Sequence, residues 1–289
     1  MTTQRVHALS TLSRSHTLST AAAAIDEEAE WAVAFKDATD AFSGEDSHET
    51  SAQRMRELVK SGLLRHTDLR DRPDRFFEAH RLLARCAVSE GPGFWIRFTV
   101  HYNLCYGTVS PALISGNLRR RRIDHRSICT QVLAVGNEDQ IAALDDVEAL
   151  GKLGCFALTE KRAGVQSGLV VETSATFDAA TQEFVINSPN QGAYKNWISQ
   201  GHVADQAVVL ANLTVGSEHV GPHAFLVDMA SAGISTGDMG VKTTGNDLDN
   251  AWVAFDGVRV PVANRVGAEG QGFAIAMAAA QALTAREPA

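Results

Sequence analysis

Residues 171–187 read VETSATFDAATQEFVIN, and the fold class turns on how their apolar positions repeat. Val171, Thr173, Ala175 and Phe177 fall on one side of an extended chain, with Glu172, Ser174 and Thr176 on the other. That period of two is the mark of a half-buried strand. The stretch from Asp178 to Gln182 is a turn-forming loop leading into a second strand, 183–187. Further strand candidates follow at 207–215, 223–227 and 251–255, separated by Gly- and Asn-rich turns. Several short strands without helices between them imply an antiparallel barrel or a small sandwich.

Upstream of Gly154 the period is helical. Met55, Leu58, Val59 and Leu63 recur at helix spacing, as do Phe76, Leu83, Ala84 and Ala87. Pro73, Pro92 and Pro111 punctuate this half, each pushing the preceding residue out of helical geometry. Asn137 is an N-cap candidate for a helix through Ile141 and Leu144. Beyond Pro261 the pattern reverts to helix, with a Gly-rich lead-in at 267–272 and an Ala-rich run at 273–285. The expected class is therefore α+β: an N-terminal α-helical domain, an antiparallel β-barrel domain and the start of a C-terminal helix. Boundaries are expected at 1–25 for a leader or disordered segment, 26–152 for the helical domain, 153–262 for the barrel and 263–289 for the last helix.

The 289 residues, 45% of them hydrophobic, supply enough apolar material for a sizeable core and about two domains. A net charge of -8 would repel nucleic acid and anionic membrane, so a small-molecule partner is expected. The longest apolar run, 273–280, falls far short of the roughly 20 residues that span a bilayer. Cys86, Cys105, Cys129 and Cys155 lie far apart without CxxC spacing and are read as reduced and buried. Ten histidines include no HxxxH or HExxH pattern, and no metal is expected. The first 25 residues carry Arg5 and Arg14, many Ser and Thr and no acid, the composition of an organellar transit peptide or of an ordinary disordered terminus.

Two segments could carry chemistry: 154–160 (GCFALTE) and 194–201 (YKNWISQG). A Trp beside a hydroxyl residue can stack on a flat ring while the hydroxyl donates to a ring heteroatom. Taken alone, Trp197 reads equally as a half-buried side chain at a strand end. Arg119 to Arg122 with Arg126 could meet phosphates through their guanidinium forks, or could form a solvated face. The glycines at 267–272 have the wrong order, and no preceding βαβ strand, for a dinucleotide fingerprint.

Taken in order, these pieces resemble the acyl-CoA oxidase and acyl-CoA dehydrogenase family, the oxidase branch more closely. The resemblance is carried by GCFALTE at 154–160, TFDAATQEFVINSP at 176–189, the Trp197-Ile198-Ser199 segment, Gly233-Ile234 to Gly240, Leu248-Asp249-Asn250, FDGVRVP at 255–261 and GAEGQGF at 267–273. It implies a helical domain, a middle β-barrel holding FAD, and a C-terminal helical bundle of which this chain carries the start. On that pattern Phe156, Leu158 and Thr159 line the flavin edge, Trp197 packs on the isoalloxazine face, Ile198 lies beside it, and Ser199 reaches the reactive nitrogen. A neutral donor there favours hydride acceptance. Gly164, Ser167 and Asp249 fall to the acyl-CoA side, with Gly164-Val165 standing where the family has a Gly-Ser pair.

The implied reaction is desaturation of an acyl-CoA thioester to the 2,3-enoyl thioester in fatty acid β-oxidation. It needs a carboxylate base as well as the flavin. No catalytic residue is assigned, because the family takes that base from the C-terminal bundle and Arg286-Glu287 reverses the Glu-Arg order of some relatives. Activity is therefore expected to depend on that bundle, supplied either by the rest of a longer chain of which this is a fragment or by a homo- or hetero-oligomeric partner. The alternative is a non-catalytic subunit retaining the middle domain. The expected location is the peroxisome or mitochondrion, otherwise the cytoplasm.

Overall fold

A computed structural model describes residues 48–62, 65–72, much of 74–83, 92–105, 136–163, 171–242 and 246–268. Helices come first: α1 (His48–Lys60), α2 (Asp68–Asp71), α3 (Pro92–Thr99), which runs on into a π-helical turn Val100–Cys105, and α4 (Glu138–Leu150). Asn137 caps α4 as its spacing predicts. Its side chain accepts from the Gln140 N–H while Gln140 reaches back to the Asn137 N–H, a reciprocal capping box. Gly151 closes the helix in the left-handed region, where glycine carries no Cβ penalty.

Among the described residues ten strands follow: β1 (Gly154–Ala157), β2 (Ser174–Asp178), β3 (Glu183–Asn187), β4 (Lys195–Ser199), β5 (Gln206–Val215), β6 (Glu218–Asp228), β7 (Ile234–Asp238), β8 (Asn250–Phe255), β9 (Val258–Pro261) and β10 (Arg265–Val266). Seven build one curled sheet in the order β10-β6-β5-β2-β3-β9, with β1 also on β5, and three build a second, β4-β8-β7. The fold is mixed α+β, a half-barrel backed by helices.

The expectation of a purely antiparallel sheet is corrected. Both β1 and β2 run parallel to β5, one along Gln206–Val209 and the other along Asn212–Thr214. Parallel neighbours need long crossovers, and the chain between β1 and β5 supplies one by way of β2, β3 and β4. A 3₁₀ turn, Val262–Asn264, leads into β10, which pairs with Phe225 and Ala224 of β6. A two-residue strand has no periodicity to read. The Ala-rich run 273–285, the segment 1–25, Arg119 to Arg122, Arg126, Cys86, Cys129 and Glu287 lie outside the described residues.

β5 explains why the two layers meet. Its alternate residues face opposite ways: Val208 and Leu210 join Met55, Leu58, Phe98, Leu144 and Leu153 on the helix side, while Ala207, Val209, Ala211 and Leu213 join Phe184, Ile186, Phe225 and Val253 inside the half-barrel. A strand buried on both faces reads as one continuous apolar run, as residues 207–211 do. Phe184 and Phe225 meet edge to face at 5.0 Å, a geometry favoured by their ring quadrupoles. Among the described residues no helix is long and apolar enough to cross a membrane.

Candidate functional site

The strand β4 organises the site. Its register against β8 shifts between Lys195 and Ile198, and within that bulge Trp197 takes φ +60°. A large aromatic in the left-handed region is strained by about 1–2 kcal/mol, and here the indole is not buried in return, being 53% exposed. Gln200, three residues on, has φ +65°. Between them Ile198 is buried in the half-barrel core while Ser199 is partly exposed. Trp197 and Ser199 therefore flank an inward-facing residue and present an aromatic plate and a hydroxyl outward.

The other end of β4 is closed. Lys195 and Glu160 form an ion pair at 2.9 Å with side chains 0% and 1% exposed. The ammonium also donates to the carbonyls of Leu158 (3.2 Å) and Leu210 (2.6 Å), which uses its three protons. Glu160 accepts from the Thr173 hydroxyl and from the N–H groups of Glu172 and Thr173. Burial pulls Lys195 down to about 8, the Glu160 charge opposing it. For Glu160 burial acts upward, and Lys195 with the Thr173 and Glu172 donors outweighs it, so the carboxyl sits below its ordinary value.

Thr159 joins the two expected segments. Its hydroxyl donates to the Asn196 carbonyl at 2.6 Å and its own carbonyl accepts the Asn196 N–H at 2.9 Å. The hydroxyl proton is thereby committed inside the protein. Phe156 and Leu158 are partly buried against the helix-side core, opposite Cys155 and Ala157. Asp249 lies behind the outward edge: its carboxylate accepts from Arg97 at 2.6 Å and from the His202 N–H at 3.0 Å, and its carbonyl accepts from Gln200 N–H. The Arg97–Asp249 pair is fully buried. Gly164 and Ser167 lie outside the described residues.

Sequence reading missed Glu160, Lys195, Arg97, Asn250 and Lys242 as functional neighbours. Glu160, Lys195 and Asn250 lay in quoted segments, and for the two charged ones the usable signal was charge within an apolar strand pattern, since a buried charge must be paired. Asn250 donates through Nδ2 to Ser199 Oγ at 3.1 Å. Lys242 donates to the Asn250 side-chain oxygen and to the Leu248 carbonyl, both at 2.6 Å.

Cys105 and Cys155 are buried thiols outside any disulfide, as expected of reduced cysteines. Burial, with the Asp249 charge adding to it, pushes the Cys155 thiol up to about 12. For metal chemistry, the described residues hold one group of ligand-type atoms, on His66, Asp145 and Glu148, within 4.8 Å of one another. Those atoms already pair: His66 Nε2 with Asp145 at 3.2 Å, and the His66 N–H with Glu148 at 2.5 Å. An open cleft of about 380 Å³ lined by Lys152, His202, Asp205 and Asp228 contains none of the expected residues. The exposed Trp197 edge, not that cleft, carries the strained backbone that marks functional positions.

Fold and edge together define a β-domain backed by helices, with an exposed indole and a hydroxyl at one strand end. Residues 155–258 match the acyl-CoA dehydrogenase middle-domain family, so that segment belongs to it and the chain is related to acyl-CoA oxidases and dehydrogenases. Acyl-coenzyme A oxidase 2 of Yarrowia lipolytica is 30% identical over 234 residues, covering 77% of this chain and 30% of the relative. Peroxisomal acyl-coenzyme A oxidase 3 of Homo sapiens is 36% identical over 148 residues, 47% of this chain and 21% of the relative. An acyl-CoA dehydrogenase from Bacillus anthracis, solved in complex with FAD, shares the fold at a TM-score of 0.63 and 21% identity, over 87% of this chain and 39% of that one. The chain thus spans only about a fifth to a third of the curated relatives named here.

Proposed function

We propose that residues 153–262 are the FAD-binding middle domain of an acyl-CoA oxidase or dehydrogenase acting in fatty acid β-oxidation, with 26–152 the N-terminal helical domain and 263–289 the entry to a C-terminal helical bundle. The observation that carries this reading is the Trp197–Ser199 edge inside a segment of the matching family. The residues present suit the cofactor: an indole held out of the core offers its face to a flat ring system, and a hydroxyl two residues along offers a donor to that ring's rim. FAD, when bound, supplies hydride acceptance.

In this reading Trp197 and Ile198 seat the ring, Ser199 donates at its rim, and Phe156, Leu158 and Thr159 form the adjoining wall. Gly164, Ser167 and Asp249 fall on the acyl-CoA side, Asp249 by holding the loop beside Ser199. The proton-accepting carboxylate is assigned outside 153–262, to the C-terminal bundle. A peroxisomal location is favoured because relatives such as the human one carry that word in their names.

The test is the visible spectrum of the purified chain after incubation with FAD and gel filtration. About one FAD per chain is expected. A protein that emerges colourless would overturn the cofactor assignment for this chain.

A further inference from the structure

The geometry points to Lys242 and Asn250 as positioning residues that make Ser199 an outward hydrogen-bond donor, an inference resting on the FAD reading above. Lys242 can only donate, so the Asn250 atom it meets at 2.6 Å must be the amide oxygen. That fixes the amide orientation. The NH₂ group is then turned to Ser199, and it donates to Oγ at 3.1 Å. With an acceptor site of Oγ taken from behind, and no acceptor for its proton among the described residues, the hydroxyl is left to donate away from Asn250, on the side where Trp197 is exposed.

Lys242 is itself held in place. Asn246 accepts the Lys242 N–H at 2.7 Å and donates to the Lys242 carbonyl at 2.8 Å, tying the loop back on itself. A second proton of the ammonium goes to the Leu248 carbonyl. The chain of direction therefore runs from Lys242 to Asn250 to Ser199, and each link is set by chemistry that permits one polarity. The charge of Lys242 also lies behind the donor, which favours added electron density at whatever ring atom Ser199 meets.

Asn250→Asp tests this, because a carboxylate of the same shape accepts from both neighbours and draws the Ser199 proton inward. The full chain, its Asn250→Asp, Lys242→Met and Ser199→Ala variants, and the doubles with Ser199→Ala are titrated with FAD, and the midpoint potential of the bound FAD is read alongside the denaturation midpoint. Asn250→Asp is expected to match Ser199→Ala, with FAD binding about three- to tenfold weaker for the lost bond and a more negative potential. Neither Asn250→Asp nor Lys242→Met should weaken binding further in the Ser199→Ala background. Lys242→Met, at a partly exposed position, preserves the test if Asn250→Asp fails to fold. Wild-type chain that binds no FAD overturns the functional reading and this inference with it. Wild-type binding with a silent Asn250→Asp, or with effects that simply add to Ser199→Ala, overturns the inference alone.

Discussion

The two ends of β4 put the same strand to opposite uses. At Lys195 each ammonium proton has a partner, the side chain is fully buried and the backbone keeps its register with β8. At Trp197 the register breaks, the backbone sits at φ +60° and a large apolar side chain is left half exposed. The first end is built for stability and the second is maintained in spite of it. Natural sequences break local rules where a ligand or partner must be met, and five residues of one strand hold both conditions.

The contrast is sharpest at the buried pair. Lys195→Met strands the Glu160 carboxylate without its counter-charge and should cost about 3–5 kcal/mol in urea denaturation. Adding Glu160→Gln should recover part of that loss, a coupling that a double-mutant cycle reads directly. Arg97→Lys keeps the charge but loses the fork that meets Asp249 and Ser51. It should cost about 1–3 kcal/mol by leaving buried acceptors unpaired. If the Lys195 and Glu160 substitutions proved neutral, the closed end of β4 would be no more structural than the open one.

Acid should act on the closed region as well. Burial holds the His101 imidazole down to about 3 against an ordinary 6.5, and its Nδ1 accepts the Gly154 N–H of β1. The unfolded chain takes up a proton that the folded chain refuses. This contribution is complete above about 6.5 and is lost as pH falls from there towards 3, in the same direction as Glu160. His101→Asn should flatten that acid limb in denaturation midpoints taken from pH 7 to 4. The smallest effect is expected at the α4 cap, where Asn137→Ala should cost about 1 kcal/mol, read from the same midpoints.

Much of the fold was legible because strands half buried in a sheet must alternate. Residues 183–187 were bounded as observed and β5 and β8 to within one residue of their ends, while the strand read at 223–227 is the second half of the longer β6. β7 was not read, because Gly237 interrupts its pattern. There the Trp252 ring lies where a Cβ would sit, so close approach sets the residue and alternation does not. The parallel pairings of β1 and β2 were hidden for a different reason: alternation says which face is buried and nothing of which neighbour is paired. At the site, Trp197 and Ser199 were found as residue types in an ordered set of motifs. The positive φ of Trp197 is a backbone feature that residue type does not announce, and Asn250 meets Ser199 across 51 residues of sequence, with Lys242 eight residues from Asn250.

The central claim is that the Trp197 end of β4 serves a ligand and the fold tolerates it. Trp197→Gly tests this in one sample, since glycine accepts φ +60° freely. Unfolding and FAD retention are measured together on wild type and variant. The account predicts stability within about 1 kcal/mol of wild type with FAD retention lost. A variant that unfolds markedly more easily yet retains FAD as wild type does would contradict it.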